Sequence, residues 1–208
     1  MKKIVYIILC SFLFPVGEAG AVFLLISPSP YHNGLGGSGV GIPSNDINTT
    51  YYNPGAYIPK NNLELQISKY NYNWLPGLAN DIIYNYEIGV ISYIIQNSQF
   101  NVSFTTANTY LDLGEQTGMD AQGNATGTFS SEMKANAYTL SAGYKSNNIP
   151  LYLGLGVTYK NVYQELGSAE AEYEEGIPST NNTMYDYGLI LSFPFKNINV
   201  FEDSYLDI

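Results

Sequence analysis

The feature that most constrains the fold of this chain is a strict alternation of apolar and polar side chains over long segments. From Leu63 to Ser68, for example, every second residue is Leu or Ile and the residues between them are polar. A period of two is typical of β-strands that have one apolar face and one polar face. The predicted strands are residues 63–74, 81–93, 100–110, 134–144, 151–163 and 184–195, with a seventh beginning at Ile198.

The length of these segments favours one of two all-β architectures. In a soluble sandwich the apolar faces cover a core, whereas in a transmembrane barrel they face lipid and the polar faces line the lumen. Strands of roughly 10 residues or more suit a tilted bilayer crossing, and soluble strands average about 5 to 6 residues. We therefore predict an antiparallel transmembrane β-barrel of about six or seven strands, with a secreted β-sandwich adhesin as the alternative.

Tyrosines near the strand ends agree with the barrel. An aromatic girdle marks each interface of a transmembrane barrel with water. The tyrosines at these positions are Tyr72, Tyr93, Tyr110, Tyr144, Tyr159 and Tyr185. Short turns also alternate with long polar loops, of which residues 111–131 and the acidic residues 167–182 are the two longest predicted.

Charge and cysteine content exclude several classes of function. The net charge is −10 and all 8 basic residues are Lys, so the chain lacks the basic stripe that nucleic-acid binding requires. Cys10 and His32 are single residues of their kinds, which excludes a disulfide framework and a Cys/His zinc site. We predict no cofactor and no metal, and outer-membrane lipid as a partner.

The first residues have the pattern of a secretory signal peptide. Two lysines precede an apolar run that is too short for a membrane-spanning helix, and the small residues Gly17 and Ala19 follow it. Export to the outer membrane is the predicted localisation. The predicted organisation is a signal peptide at 1–19, a Gly/Pro-rich hatch segment at 20–60 and barrel strands at 61–208.

The hatch segment contains a glycine-rich string that resembles a nucleotide-binding motif. Gly34 to Gly39 fits G-x-G-x-x-G as a string, but that fingerprint needs a strand before it and a helix after it. Pro28 and Pro30 precede the string and Pro43 follows it, which excludes this context. We interpret the glycines instead as a surface for close backbone packing inside a barrel, where only glycine fits.

No enzymatic motif is complete, and we predict that the protein is not an enzyme. Gly37-Ser38-Gly39 lacks the flanking pattern of a nucleophile elbow, and we interpret His32 as an ordinary loop residue. Residues 120–126 have EF-hand-like oxygen spacing, but Ala125 occupies the position that needs glycine. Three carboxylates are predicted on or near the polar faces of the strands, lining the lumen and hydrogen-bonding the hatch segment. They are Asp81, Glu87 and Asp186.

Several motifs follow one another in a fixed order along the chain. They are Phe23-Leu24-x-Ile26-x-Pro28, Gly34-Leu35-Gly36-Gly37-Ser38-Gly39, Asp46, Tyr51-Tyr52-Asn53-Pro54, Trp74-Leu75, Asp81-Ile82-x-Tyr84-x-Tyr86 and Tyr185-Asp186-x-Gly188. In this order they resemble the PorV/PorQ family of outer-membrane proteins. The candidate packing motif of the hatch is Gly34, Gly36, Gly37, Gly39, Asp46, Tyr52, Asn53 and Pro54.

The resemblance implies a FadL-like barrel associated, in Bacteroidetes-type bacteria, with type IX secretion. It implies a role in protein secretion or surface attachment, with secreted cargo proteins and components of the secretion machinery as partners. Passive uptake of hydrophobic molecules such as fatty acids is the alternative role. Pro30-Tyr31-His32 replaces the small-Arg-small triplet of the family, and such barrels have about 14 strands. The sequence therefore indicates a truncated or divergent short form.

Overall fold

The structure, a computed structural model, describes residues 21–77, 79–95, 99–119, 122–149, 151–165 and 179–193. It contains one antiparallel sheet of six strands, in which β1 to β6 lie side by side in chain order. The strands are β1 (Leu63–Leu75), β2 (Ala79–Ile94), β3 (Phe100–Met119), β4 (Ala125–Lys145), β5 (Tyr152–Glu165) and β6 (Ser179–Ser192). The prediction of an all-β chain with long antiparallel strands is confirmed.

The sheet is open within the described residues. β1 is paired only with β2, and β6 only with β5. Between these two edges the register is continuous, and residues opposite one another form rows that cross all six strands. One row, for example, runs from Leu65 through Ile91 and Phe104 to Leu140 and beyond.

The prediction of a polar loop at residues 111–131 is wrong for most of that range. β3 continues to Met119 and β4 begins at Ala125, and pairs such as Gln116 with Phe129 extend the hairpin. The alternation is hidden there because Thr, Ser, Gln and Gly replace the apolar residues of the pattern. Two register shifts, after Asp112 and after Gly118, interrupt it further.

The sixth strand begins earlier than the sequence predicts. Residues 179–182, assigned to the acidic loop, already pair with β5. They are polar, so periodicity gave no sign of a strand, and their pairing depends on backbone hydrogen bonds to β5. The signal peptide at 1–19, the rest of the acidic loop and the seventh strand lie outside the described residues.

Residues 21–60, here called the inner segment, cover one face of the sheet. The segment contains two helices of one turn, α1 (Pro30–Gly34) and α2 (Thr49–Tyr52), and 3₁₀ turns at Val22–Leu25 and Ser38–Gly41. Ser29 caps α1, since its Oγ accepts a hydrogen bond from the His32 backbone N–H at 3.2 Å. The covered face is called the inner face, and the opposite face is the outer face.

The main core lies between the inner segment and the inner face. Phe23 and Ile47 from the segment pack with side chains from β2 to β5. The sheet residues of this core are Tyr84, Tyr86, Ile88, Val90, Leu111, Ala135 and Val162. The barrel interpretation places the apolar face of β2 toward lipid, whereas the structure buries it under the inner segment. The alternation of β2 distinguishes an apolar face from one that carries Asn85 and Glu87, but it does not show whether lipid or the inner segment covers the apolar face.

Small residues on β4, β5 and β6 let the inner segment approach the sheet backbone. A Cβ atom added to Gly154, Gly156 or Gly188 would overlap the backbone or side chains of Asn53–Gly55. Gly156 lies opposite Gly188 in the register, so these glycines form a depression that receives the Asn53-Pro54-Gly55 turn. This depression is called the glycine cradle.

Gly154→Ala is expected to lower the free energy of unfolding by about 2 to 3 kcal/mol, because overpacking a filled site displaces backbone. The added methyl group would overlap the carbonyl oxygen of Gly55. Urea unfolding followed by tryptophan fluorescence or circular dichroism measures the effect. Gly89→Ala is the matched control, since its nearest atom, Thr106 Oγ1, would be 3.8 Å from the new Cβ. Equal stability of both variants would contradict the cradle.

Candidate functional site

The outer face carries a belt of mostly apolar side chains that crosses all six strands. Four adjacent rows of the register form it, and we call them the outer belt. One of these rows includes Gly89 and Thr106 on β2 and β3, and another covers only β3 to β6. The members of the belt include Leu63, Tyr93, Val102, Leu155 and Leu189; Leu65, Ile91, Phe104, Leu140, Val157 and Tyr187; Ile67, Tyr138, Tyr159 and Tyr185; and Phe100, Tyr144, Leu153 and Leu191. Many are strongly exposed, as shown by Leu140 at 59% and Tyr187 at 81%.

The belt ends sharply at one side. Its last row contains three adjacent tyrosines, Tyr138, Tyr159 and Tyr185, whose ring centroids lie 6.3 and 5.6 Å apart. The next row is entirely polar, and it begins with an ion pair between Lys69 and Glu87. Its remaining members are Asn108, Asn136, Asn161 and Thr183. On β4, β5 and β6 the outer face thus changes from apolar to polar over one row, through aromatic side chains.

The two ends of the sheet differ in their connections. At one end β2 joins β3, and β4 joins β5, through the short connections at 95–99 and 146–151. We call this the short-turn end, and the inner segment enters β1 there. At the opposite end the β3–β4 hairpin continues well past the polar row, to Met119 and Ala125. This is the long-hairpin end, where β1 also joins β2 through the short connection at 76–78.

Hydrogen bonds hold the inner segment to the inner face. Ser141 Oγ donates to the carbonyl oxygen of Pro54 at 2.6 Å, and the Tyr152 hydroxyl donates to that of Tyr57 at 2.9 Å. Asn53 Nδ2 donates to the carbonyl of Leu189 at 3.3 Å and to that of Val40 at 2.9 Å. The contact is therefore a set of buried, directional bonds in addition to apolar packing.

A second contact to β5 and β6 is a cation–π interaction between the inner segment and a lysine that is ion-paired across these two strands. Lys160 and Asp186 form an ion pair at 2.5 Å on the inner face, and the Lys160 ammonium lies 5.9 Å from the centre of the Tyr51 ring. Burial raises the pKa of Tyr51, and the nearby Tyr52 and Asp186 add to this effect. The hydroxyl stays protonated and donates to the carbonyl of Ile26 at 3.2 Å.

His32 is a buried packing residue rather than the loop residue that the sequence indicates. It lies in α1, and its Nε2 is 3.3 Å from Thr49 Oγ1. Its ring meets that of Tyr52 edge-on, with centroids 4.7 Å apart. Asp46, which accepts a hydrogen bond from Ser29 Oγ at 3.1 Å, belongs to the same group of side chains. These contacts stabilise the fold of the inner segment.

The glycines of the predicted packing motif divide into two groups. Gly39 is closely packed, since an added Cβ would lie 2.7 Å from Tyr52 Cγ. Gly34, Gly36 and Gly37 have open space where the sequence predicts close packing. Gly36 and Gly37 have φ values of 68° and 78°, so the turn itself requires glycine there.

The other predicted site residues also lie in different parts of the structure. Tyr52, Asn53 and Pro54 lie where the inner segment meets the glycine cradle or His32. Asp186 is on the inner face, whereas Glu87 is on the outer face, paired with Lys69. Asp81 is exposed and lies against Gly114 in the β3 extension, away from the cradle.

The sequence did not single out the glycines that receive the inner segment. Gly154 and Gly156 alternate with leucines in β5, and Gly188 follows Asp186 in β6. The signal that could have found them is the repetition of glycine on one face of adjacent strands, since isolated strand glycines mark close backbone approach. Recognising it requires the register between strands, which one strand does not contain.

No protein-family model, no curated protein and no solved structure matches this chain. Among the described residues, no helix is both long and apolar enough to cross a membrane. The same residues contain no group of three or more His, Cys, Asp or Glu side chains placed to hold a metal ion. The function must therefore be argued from the two faces of the sheet.

Asn53→Ala is expected to loosen the inner segment while leaving the sheet folded. The variant removes the buried bond from Gly55 N–H to Asn53 Oδ1, 2.9 Å long, and the two bonds from Asn53 Nδ2 to the carbonyls of Val40 and Leu189. Unpaired buried groups cost about 1 to 3 kcal/mol each, so amide exchange in residues 53–58 should accelerate at least about fivefold.

Hydrogen–deuterium exchange with mass spectrometry measures this change, with Asn33→Ala as the matched control. Asn33 also donates to a backbone carbonyl, that of Ser27 at 3.3 Å, but it is exposed. Its replacement should leave exchange in residues 53–58 unchanged. Equal acceleration in both variants would show that Asn53 does not anchor the segment.

Proposed function

We propose that this chain is part of an outer-membrane β-barrel, with the outer belt facing lipid and the inner segment lying in the lumen. The observation that carries the proposal is the outer belt, which is largely apolar over four rows and is bordered at one side by tyrosines and then polar residues. From Tyr138 to Tyr144 the belt extends about 20 Å along β4, at about 3.4 Å per residue, which is about 15 Å in height at the strand tilt usual in such barrels. Barrels in outer membranes have an apolar band about 25 Å tall with aromatic borders.

The inner face supports the same arrangement. In a two-sheet sandwich the apolar face would pack against a second sheet, and its opposite face would meet water. Here the inner segment already packs on one face, and the exposed apolar belt lies on the other. Lipid satisfies such a belt without any further protein element. A secreted sandwich adhesin is less well supported for this reason.

The open edges add a requirement. Unpaired backbone groups are costly in a bilayer, and outer-membrane proteins avoid them by closing the sheet. If the outer belt faces lipid, β1 and β6 must each pair with a further strand, from this polypeptide or from another. The proposal therefore concerns a wall of six strands within a larger closed sheet.

Within this fold we favour a role in protein secretion or surface attachment over passive uptake. Uptake requires a passage along the inner face or a hatch that moves aside. The inner segment instead makes buried hydrogen bonds to Ser141, Tyr152 and the β6 backbone, and its turn fits the glycine cradle. A segment bound in this way supports a fixed scaffold, whose long-hairpin end is free to contact exported proteins or secretion components.

Leu140→Arg is expected to impair membrane assembly much more than Asn136→Arg. Both residues are exposed on the outer face of β4, Leu140 within the belt and Asn136 in the polar row. Arginine costs about 2 to 4 kcal/mol at the middle of a bilayer and about 0 to 1 near its interface. The measurement is the urea midpoint of each variant in phospholipid vesicles, together with the amount found in the outer-membrane fraction.

Two results would reject the membrane assignment. One is recovery of the wild-type mature protein in the aqueous periplasmic fraction without detergent. The other is an equal effect of the two arginine variants on assembly, because a soluble outer face would not distinguish them.

Deletion of the gene is expected to alter exported proteins while leaving uptake of labelled fatty acids unchanged. The reason is the fixed inner segment, which occupies the inner face along which a ligand would pass. Mass spectrometry of the surface and medium fractions measures the first effect, and uptake of a radiolabelled fatty acid measures the second. Reduced uptake with unchanged surface proteins would favour the transport role instead.

A further inference from the structure

A cavity of about 330 Å³ lies at the short-turn end, between the last residues of the inner segment and the β2–β3 and β4–β5 connections. We propose that it binds an anionic group, a phosphate ester that carries a hydroxyl or amine donor beside the phosphate. Its lining residues include Lys60, Gln99, Asn101, Lys145 and Asn147. The inference goes beyond the proposed scaffold function and does not depend on it.

The placement of the lysines is the first observation. The lysines of the described residues are Lys60, Lys69, Lys134, Lys145 and Lys160. Three of them form ion pairs, with Glu87, Glu132 and Asp186. The remaining two, Lys60 and Lys145, have no ion pair with any described residue, and both line this one cavity. In a chain of net charge −10, two unneutralised cations at one cavity make it a local site for an anion.

One carboxylate lies close to this pair, and it is already engaged. Glu64 Oε2 accepts a hydrogen bond from the Lys60 backbone N–H at 2.9 Å, and its Oε1 accepts one from Gln66 Nε2 at 2.6 Å. Both donors are neutral, so Glu64 keeps its negative charge, but its oxygens are held on the Lys60 backbone and on Gln66. The Lys60 ammonium forms no ion pair with Glu64 and can contact a ligand.

An orphaned acceptor beside Lys145 is the second observation. Gln99 Oε1 is buried and accepts no hydrogen bond from the described residues. The Gln99 backbone is fixed, since its carbonyl oxygen accepts from the Lys145 N–H at 2.9 Å. A buried acceptor without a donor is costly, and a ligand donor would satisfy it. The cavity thus presents cations and an acceptor together.

The polar wall of the cavity is completed by Asn101, which is only 6% exposed. Its amide leans across Gly143, where an added Cβ would lie 2.7 Å from Asn101 Nδ2. Lysines bind phosphate as point charges, and the acceptor selects a ligand with an adjacent donor. Two sources carry this chemistry: a soluble glycerol phosphate, and the headgroup of an anionic glycerophospholipid.

The test titrates the full-length mature protein, folded in non-ionic detergent or in buffer, with sn-glycerol 3-phosphate by calorimetry. Glycerol is the uncharged control ligand. Lys60→Gln/Lys145→Gln should weaken binding about tenfold, because two half-exposed charge contacts are lost. Lys69→Gln removes one charge from the outer face and should leave the affinity unchanged. Circular dichroism establishes that each variant retains its sheet.

A second comparison tests the orphaned acceptor. Gln99→Met keeps the size of the side chain and removes the acceptor, so it should weaken glycerol phosphate binding while sparing inorganic phosphate. Retention of phosphatidylglycerol over phosphatidylcholine, read by native mass spectrometry of protein in mixed nanodiscs, identifies the lipid source. Binding of glycerol phosphate alone identifies the soluble source.

Binding of either glycerol phosphate or phosphatidylglycerol supports the site, provided that the Lys60→Gln/Lys145→Gln variant loses this binding. The inference is overturned if the folded wild type binds neither glycerol phosphate nor phosphatidylglycerol, or if the double variant binds as tightly as Lys69→Gln. The titration can be made in buffer should the protein prove water-soluble. Failure of the membrane assignment and failure of the anion site are therefore separate results.

Discussion

The close contact between the Asn53-Pro54-Gly55 turn and the glycine cradle is the interaction on which the rest of the structure depends. A side chain larger than hydrogen at Gly154, Gly156 or Gly188 would hold the turn away from the sheet. The hydrogen bonds from Ser141 and Tyr152 to the segment would then lengthen, because they span the same gap. Removing the segment would in turn expose the tyrosines and aliphatic residues of β2. The inner segment and the sheet thus form one core, although the segment has little regular structure.

This contact also determines which kinds of side chain each face of the sheet carries. The inner face combines apolar packing near β2 with small and hydroxyl residues on β4 and β5, because a polypeptide with its own polar backbone lies against it. The outer face carries large aliphatic and aromatic residues that project freely, with no backbone to satisfy. Backbone groups buried against protein need partners, whereas an apolar belt against lipid needs none. If the outer belt faces lipid, as proposed, the difference in composition between the faces follows from the difference between their two neighbours.

Sequence reasoning predicted the strands well and their orientation less well. The alternation located all six strands and the start of β1 at Leu63, since period two is a local property of the chain. It missed the β3–β4 extension, where polar residues occupy both faces and only pairing with the neighbouring strand defines the structure. It also placed Glu87 with the inner carboxylates, although the register puts it opposite Lys69 on the outer face. The glycine cradle, the burial of His32 and the lysine pair at the short-turn end depend on residues far apart in the chain, which no local pattern brings together.

The two ends of the sheet differ in the charged residues that they carry. At the long-hairpin end, Asp112, Glu132 and Glu165 lie side by side across β3, β4 and β5. Tyrosine hydroxyls hydrogen-bond two of these carboxylates: Tyr110 donates to Glu132 at 3.1 Å, and Tyr163 donates to Glu165 at 2.7 Å. At the short-turn end, the charges of the described residues that form no ion pair are the two lysines and Glu64. Outer-membrane barrels have short turns on the periplasmic side and longer loops outside. Under the proposed barrel assignment the acidic row would point outward, and the lysines would face the periplasm, within reach of the phosphate-bearing headgroups of the inner leaflet.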